Sequence, residues 1–300
     1  MSTLPHAVTV VEVGPRDGLQ NEAARISTPD KIAFVNRLSL GGLHEIEVSA
    51  FVSPKWIPQL DDAGEVFAGI TRQPGVRYSA LVPNMHGLER AIGAGVTNIA
   101  IFLAASETFS QRNTNRSIDA SFDVYREVAS AALGAGLRVR GYLSTAFGCP
   151  FEGDVPFDRV VTLTRRILDL GAFEVAVSDT IGVAHPGQVT SMLPRLLEAI
   201  PPERVALHFH DTRGMALANV LAALECGIAT FDASAGGLGG CPYAPRATGN
   251  LATEDLVYML NGLGIDTGVQ LDAVSDAALA LVPHLGHALP SRYTQARPAP

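Results

Sequence analysis

Cysteine is scarce: Cys149, Cys226 and Cys241 are the only three among 300 residues. That number excludes a disulfide framework and fits a reducing compartment. The N-terminus has no basic stretch followed by an apolar core, so no secretory leader is expected. No uninterrupted apolar run approaches the roughly 18 residues that suggest a membrane span. Positive charge is also in deficit, with 22 Lys and Arg against 30 Asp and Glu and a formal net charge of -8. This balance argues against nucleic acid and anionic membrane surfaces as partners. It does not argue against a small anion held at a local cationic site. The expectation is a soluble, cytoplasmic protein.

Apolar residues, by contrast, make up 47% of the chain and charged residues only 17%. That is enough for a large core and far from a disordered composition. Short β-branched runs fall at residues 8–13, 45–51, 77–82, 98–103, 138–144, 174–178, 205–210 and 230–234. Amphipathic stretches separate them. Thr28 and Pro29 open one helix that Gly41 and Gly42 close, Ser117 begins another, and Thr253 begins a third that stops at Gly264. Eight β–α alternations predict parallel strands joined by right-handed crossovers. An open doubly wound sheet is the rival, but no Gly-x-Gly-x-x-Gly turn follows the first strand. The fold class predicted is α/β, a (β/α)8 TIM barrel, for which about 250 residues are typical. An extra C-terminal helix is expected over residues 271–285. A single domain is expected over 1–290, with a disordered tail at 291–300.

In such a barrel the working groups sit at the C-terminal ends of the strands. There the first strand breaks into Gly14, Pro15, Arg16, Asp17 and Gly18, the second carries Glu47, and the sixth ends in Ser178 and Asp179. The seventh ends in His208, Phe209 and His210, and the eighth runs into a loop with Gly236, Gly237, Gly239, Gly240 and Cys241. Residues two apart in a strand share a face, so His208 and His210 can bind one metal ion, although either could be a satisfied core histidine. Asp17 is the natural third ligand, because the first and seventh strands both neighbour the eighth in a closed barrel. Asn250 offers either a neutral oxygen or a helix cap. Two nitrogens and two oxygens with open positions suit Mg²⁺ or Mn²⁺, and Zn²⁺ or Co²⁺ also accept such donors. Arg16 can clamp a carboxylate or steady an enolate oxygen, or it can form an ion pair with Glu47 or Asp179. A glycine-rich loop that presents one thiol gives Cys241 a proton-transfer role, whereas Cys149 and Cys226 read as packing residues.

The segments EVGPRDGLQNE (12–22), FVSPKWIPQ (51–59), GCPFEG (148–153), SDTIG (178–182), HFHDT (208–212), GGLGGCPYAP (236–245) and TGNLATEDLVYML (248–260) are collinear over nearly the whole chain. Together they resemble the 3-hydroxy-3-methylglutaryl-CoA lyases, within the metal-dependent TIM-barrel lyases and Claisen-type synthases. The resemblance implies a divalent cation held by Asp17, His208, His210 and Asn250. It implies Arg16 at the acyl carbonyl or enolate, Glu47 supporting it, Cys241 as catalytic acid/base, and Asp179 in a supporting base network. It also implies an acyl-CoA substrate and a homodimer. Three positions depart from the pattern: Ala50 replaces a common Ser, Arg213 a common Tyr, and Arg246 a smaller or neutral residue. They bear on which acyl group is accepted.

The reaction expected is cleavage of 3-hydroxy-3-methylglutaryl-CoA to acetoacetate and acetyl-CoA, with Asp17 or a neighbour taking the hydroxyl proton. The alternatives are a lyase for a related 3-hydroxy diacyl-CoA, such as citramalyl-CoA or an isoprenoid homologue, and a Claisen-type synthase. A non-enzymatic binding protein would need no metal.

Overall fold

Strands bounded by turn residues and filled with Val, Ile, Leu and Ala are buried on both faces, as a parallel sheet wrapped by helices requires. The computed structural model describes residues 4–240 and 249–297. In it β1 (Thr9–Glu12), β2 (Glu45–Ala50), β3 (Arg77–Leu81), β4 (Asn98–Ala104), β5 (Arg138–Ser144), β6 (Val175–Asp179), β7 (Val205–Phe209) and β8 (Thr230–Ala233) form one closed barrel. Each strand pairs in parallel with its sequence neighbours, and β1 pairs with β8 from Thr9↔Thr230 to Glu12↔Ala233. All eight expected strands are present, with ends that differ by at most one residue. This is the (β/α)8 TIM barrel that the alternation predicted.

The helices begin and end where local chemistry dictates. The Ser27 hydroxyl accepts from the Asp30 amide, Pro29 sits in the first turn, and helix Thr28–Leu40 ends at Gly41. Gly42 then turns the chain at φ 82°, where an added Cβ would lie 2.1 Å from the Gly268 carbonyl oxygen. Ser117 caps helix Ile118–Gly134 through the Ala120 amide. Inside the barrel, Ala50, Ala100, Ala176 and Ala206 pack with Leu60, Leu81 and Tyr142. These small residues leave room for long polar side chains, notably Arg140, to cross the interior.

Two expectations need correction. Residues 271–285 form two helices, Leu271–Leu279 and Val282–Leu285. Pro283 is the reason: it lacks an amide hydrogen, and its ring would strike the carbonyl one turn back. The tail expected to be disordered from 291 instead forms helix Arg292–Ala296, followed by Arg297. Ser291 caps that helix at Thr294, and the Asp255 carboxylate accepts from the Ser291 hydroxyl and the Arg292 and Tyr293 amides. An SxxT cap met by a carboxylate from residue 255 anchors a segment whose composition alone reads as loose.

Two buried carboxyls brace the turn after β8. Glu12 accepts from the Gly14 amide at 2.7 Å, the Ala235 amide at 2.8 Å and the Thr253 hydroxyl at 2.7 Å. Glu254 accepts from the Gly236 amide at 2.8 Å. Burial lifts Glu12 to about 7 and Glu254 to about 8 from an ordinary 4.5, against the pull of these hydrogen bonds. A carboxyl raised in the folded state holds its proton more tightly than the unfolded chain does. The stability it contributes is therefore complete below about pH 4.5 and is lost as pH rises through about 7 to 8. Urea midpoints at pH 5.5 and 8.5 should fall less steeply for Glu254→Gln than for the wild type. Equal pH dependence in the two proteins would contradict this account.

Candidate metal centre

The first strand ends in a tight π-helical turn, Gly14–Gly18. The amides of Arg16, Asp17 and Gly18 all point back to the Val13 carbonyl, at 3.1, 2.7 and 3.2 Å. The turn admits little bulk. A Cβ on Gly14 would lie 2.6 Å from a Glu12 oxygen, and one on Gly18 would lie 2.7 Å from the Ser234 hydroxyl. A side chain at either position would push the Glu12 carboxyl or the Ser234 hydroxyl aside, and the tight turn presents Arg16 and Asp17 side by side at the barrel's mouth.

Opposite them, His208 lies in β7 and His210 just beyond it, with ring centroids 5.2 Å apart. The segment after the glycine-rich loop pairs with this strand end: His210 bridges Asn250, the Asp211 amide donates to the Gly249 carbonyl, and the Leu251 amide donates to Phe209. That pairing delivers the Asn250 carboxamide to the same place. Asn250 does not cap a helix; Ala252 holds that position. Its Nδ2 donates to Asp17 at 3.0 Å and to the Leu238 carbonyl at 3.1 Å.

The remaining donor atoms fit a cation. Ligand atoms of Asp17, His208 and His210 all lie within 4.8 Å of one another. Asn250 Oδ1 and His210 Nδ1 are buried with no hydrogen-bond partner, an arrangement that costs free energy unless something satisfies it. His208 Nδ1 meets Asp232 at 3.1 Å, which leaves Nε2 toward Asp17 at 3.9 Å. Two imidazoles, a carboxylate and a carboxamide oxygen form the mixed nitrogen and oxygen set that divalent cations accept.

The charges are tuned accordingly. Burial raises the Asp17 carboxyl, but Arg16, then His208 and His210, and the Asn250 hydrogen bond bring it down to about 2. Burial and the neighbouring His208 push His210 down to about 3, so it stays neutral and keeps a lone pair available. Burial lowers His208, but the Asp232 hydrogen bond and charge outweigh it and the net shift is upward. Arg16 is paired with Asp17 and, through Nε, with Glu47. The sequence left Glu47 and Asp179 open as its partner, and the structure selects Glu47. Asp179 instead accepts from the Val183 and Ala184 amides at 2.9 and 3.0 Å. Burial lifts it to about 6 against those bonds.

The site contains groups that the sequence reading passed over. Glu47 also accepts from the Tyr142 hydroxyl at 3.0 Å, and that hydroxyl accepts from Arg140 at 3.0 Å. Arg140 reaches Asp232 at 2.7 Å, and Asp232 holds His208. A signal existed: Asp232 is a lone acid within an apolar strand and sits in register with His208. Arg140 and Tyr142 are two apart in β5 and so share a face. Of the departures, Ala50 is buried in the barrel interior. Arg213 donates to the Ile181 and Gly182 carbonyls and so braces the loop after β6. Cys241 and Arg246 lie outside the described residues. The described residues on either side border the site: a Cβ on Gly239 would lie 2.6 Å from Asn250 Nδ2, and one on Gly249 would lie 2.2 Å from the Gly239 carbonyl oxygen.

Known proteins share this arrangement of sequence and fold. The HMGL-like family profile matches residues 7–281. A Bacillus subtilis protein named hydroxymethylglutaryl-CoA lyase is 51% identical over 97% of both chains. A Pseudomonas aeruginosa protein named 3-hydroxy-3-isohexenylglutaryl-CoA/hydroxy-methylglutaryl-CoA lyase is 51% identical over 98% of both. The structure of an HMG-CoA lyase from Acinetobacter baumannii, in complex with coenzyme A and 3-methylmalate, superimposes with a TM-score of 0.93 at 42% identity over the whole of both chains. With a profile spanning most of its length and half its residues shared with curated relatives, this chain belongs to the HMGL-like family.

Proposed function

We propose that this protein cleaves 3-hydroxy-3-methylglutaryl-CoA to acetoacetate and acetyl-CoA with the help of a divalent cation, Mg²⁺ or Mn²⁺. One observation carries the reading: Asp17, His208, His210 and the partnerless Asn250 Oδ1 meet beside Arg16 at the C-terminal mouth of the barrel. The family relatives named for this lyase reaction support it.

Asp17, His208, His210 and Asn250 would hold the cation, which supplies Lewis acidity to the hydroxyl and carboxylate oxygens of a substrate. The chain's own groups then divide the work. The hydroxyl proton passes to a carboxylate. Asp17 or a neighbouring carboxylate such as Asp179, which burial lifts to about 6, would take it. The C2–C3 bond breaks, its electrons move onto the acetyl-CoA carbon, and the former alkoxide becomes the ketone of acetoacetate. Arg16, locked by Glu47 and Asp17, steadies the enolate oxygen. Cys241 returns a proton to the enolate carbon. From the same kinship we infer a homodimer, and from the low cysteine count a reducing, cytoplasmic location. No helix among the described residues is long and apolar enough to cross a membrane.

A second reading is a lyase for a longer branched homologue, since one relative is named for an isohexenylglutaryl-CoA substrate as well. A panel of acyl-CoA thioesters compared by kcat/KM separates the two.

Acetyl-CoA release from 3-hydroxy-3-methylglutaryl-CoA should vanish after chelation and return with Mg²⁺ or Mn²⁺, and His208→Ala should lose both bound metal and turnover. Undiminished activity after exhaustive chelation would refute the metal role. Cys241→Ala should fold and bind substrate yet lose about 10²–10⁴-fold in kcat, the usual scale for a general acid. Near-normal turnover would remove the thiol from the reaction.

A further inference from the structure

His208 has two ring nitrogens and only one can face a cation. The neutral ring carries its single proton on the other, so whatever hydrogen-bonds that nitrogen decides whether His208 can be a ligand. In this protein the decision rests on a chain of groups two residues deep. Asp232 Oδ2 lies 3.1 Å from His208 Nδ1, and its side chain is fully buried. Its other oxygen, Oδ1, accepts from Arg140 at 2.7 Å. Arg140 is itself fixed. Its Nε donates to Glu174 at 2.8 Å, and a further amino group donates to the Tyr142 hydroxyl at 3.0 Å. It is buried, and burial against three partners leaves it no room to turn away.

A guanidinium donates at every nitrogen and accepts at none. Arg140 therefore demands an acceptor at one side of residue 232. An ionised carboxylate satisfies that demand and still offers an acceptor at its other side, which draws the proton of His208 onto Nδ1 and frees Nε2. We propose that Asp232 and Arg140 act together as a positioning pair that selects the Nδ1–H tautomer of His208, and that Arg140 sets the choice by dictating the orientation of residue 232. This inference rests on His208 being a ligand of the proposed centre.

The pair makes an isosteric substitution informative. In Asp232→Asn the carboxamide has one acceptor and one donor end. Arg140 claims the acceptor, so the amide NH₂ faces His208 Nδ1 and forces the proton onto Nε2. Shape and packing are retained, but the lone pair faces the wrong way. A group that merely filled space would not produce this change.

The experiment uses full-length protein labelled with ¹⁵N at histidine. His208 is assigned by comparison with His208→Gln, and spectra are taken free of metal at a pH where the ring is neutral. The wild type should show protonated Nδ1 and unprotonated Nε2, and Asp232→Asn should show the reverse. In parallel, titration calorimetry with Mn²⁺ alone should give a 10–100-fold weaker Kd for Asp232→Asn, about the range for lost support of a ligating histidine. A wild-type ring protonated at Nε2 overturns the inference and needs no variant, so it stands even if Asp232→Asn fails to fold. A folded Asp232→Asn with the wild-type tautomer and wild-type Mn²⁺ affinity overturns it as well. The two readings fail separately: absence of Mn²⁺ binding by the wild type counts against the metal centre itself, whereas binding combined with an Nε2–H ring overturns this inference alone.

Discussion

A guanidinium buried in the middle of a parallel barrel must have its donors met, because each unpaired buried donor costs free energy. Arg140 fulfils this condition with Glu174, Tyr142 and Asp232, and much of the site follows from it. Through Asp232 it reaches His208, and through Tyr142 it reaches Glu47 and then Arg16 and Asp17. The circuit returns to His208, whose Nε2 lies 3.9 Å from Asp17. The Arg16 and Arg140 guanidinium carbons both approach the Tyr142 ring, at 5.4 and 5.2 Å from its centroid. Removing one member of such a circuit strands the others as buried, unpaired charges, which costs more than the lost contact alone.

The circuit also explains the interior of the barrel. Ala100 stands in register with Arg140, and Tyr142 with Ala176. A larger residue at either position would occupy the volume through which the long side chains pass. Polar side chains share the barrel interior with small apolar residues, whose methyl groups make space for them.

The fold was legible in the sequence because the pattern is redundant. Eight β-branched runs, each bounded by turn residues and followed by an amphipathic stretch, fix strand positions to within a residue. Asp17, His208, His210 and Arg16 were legible because His-x-His and Arg-Asp sit at strand ends, where side-chain direction follows from local geometry. Asp232 and Tyr142 were not, because their importance lies in what they reach across the barrel, and no local spacing encodes that. The helix Arg292–Ala296 escaped for the same reason: its anchor, Asp255, is distant in sequence. The sequence offered Asn250 as an oxygen at the mouth or as a helix cap; the cap falls to Ala252, and the pairing of Asn250 against the end of β7 could be seen only in three dimensions.

The near-contact of Gly239 and Gly249 has one further consequence. Two described segments meet there, one leading away from β8 and the other leading into Asn250. A side chain at either glycine would wedge the two backbones apart and carry the Asn250 carboxamide away from Asp17.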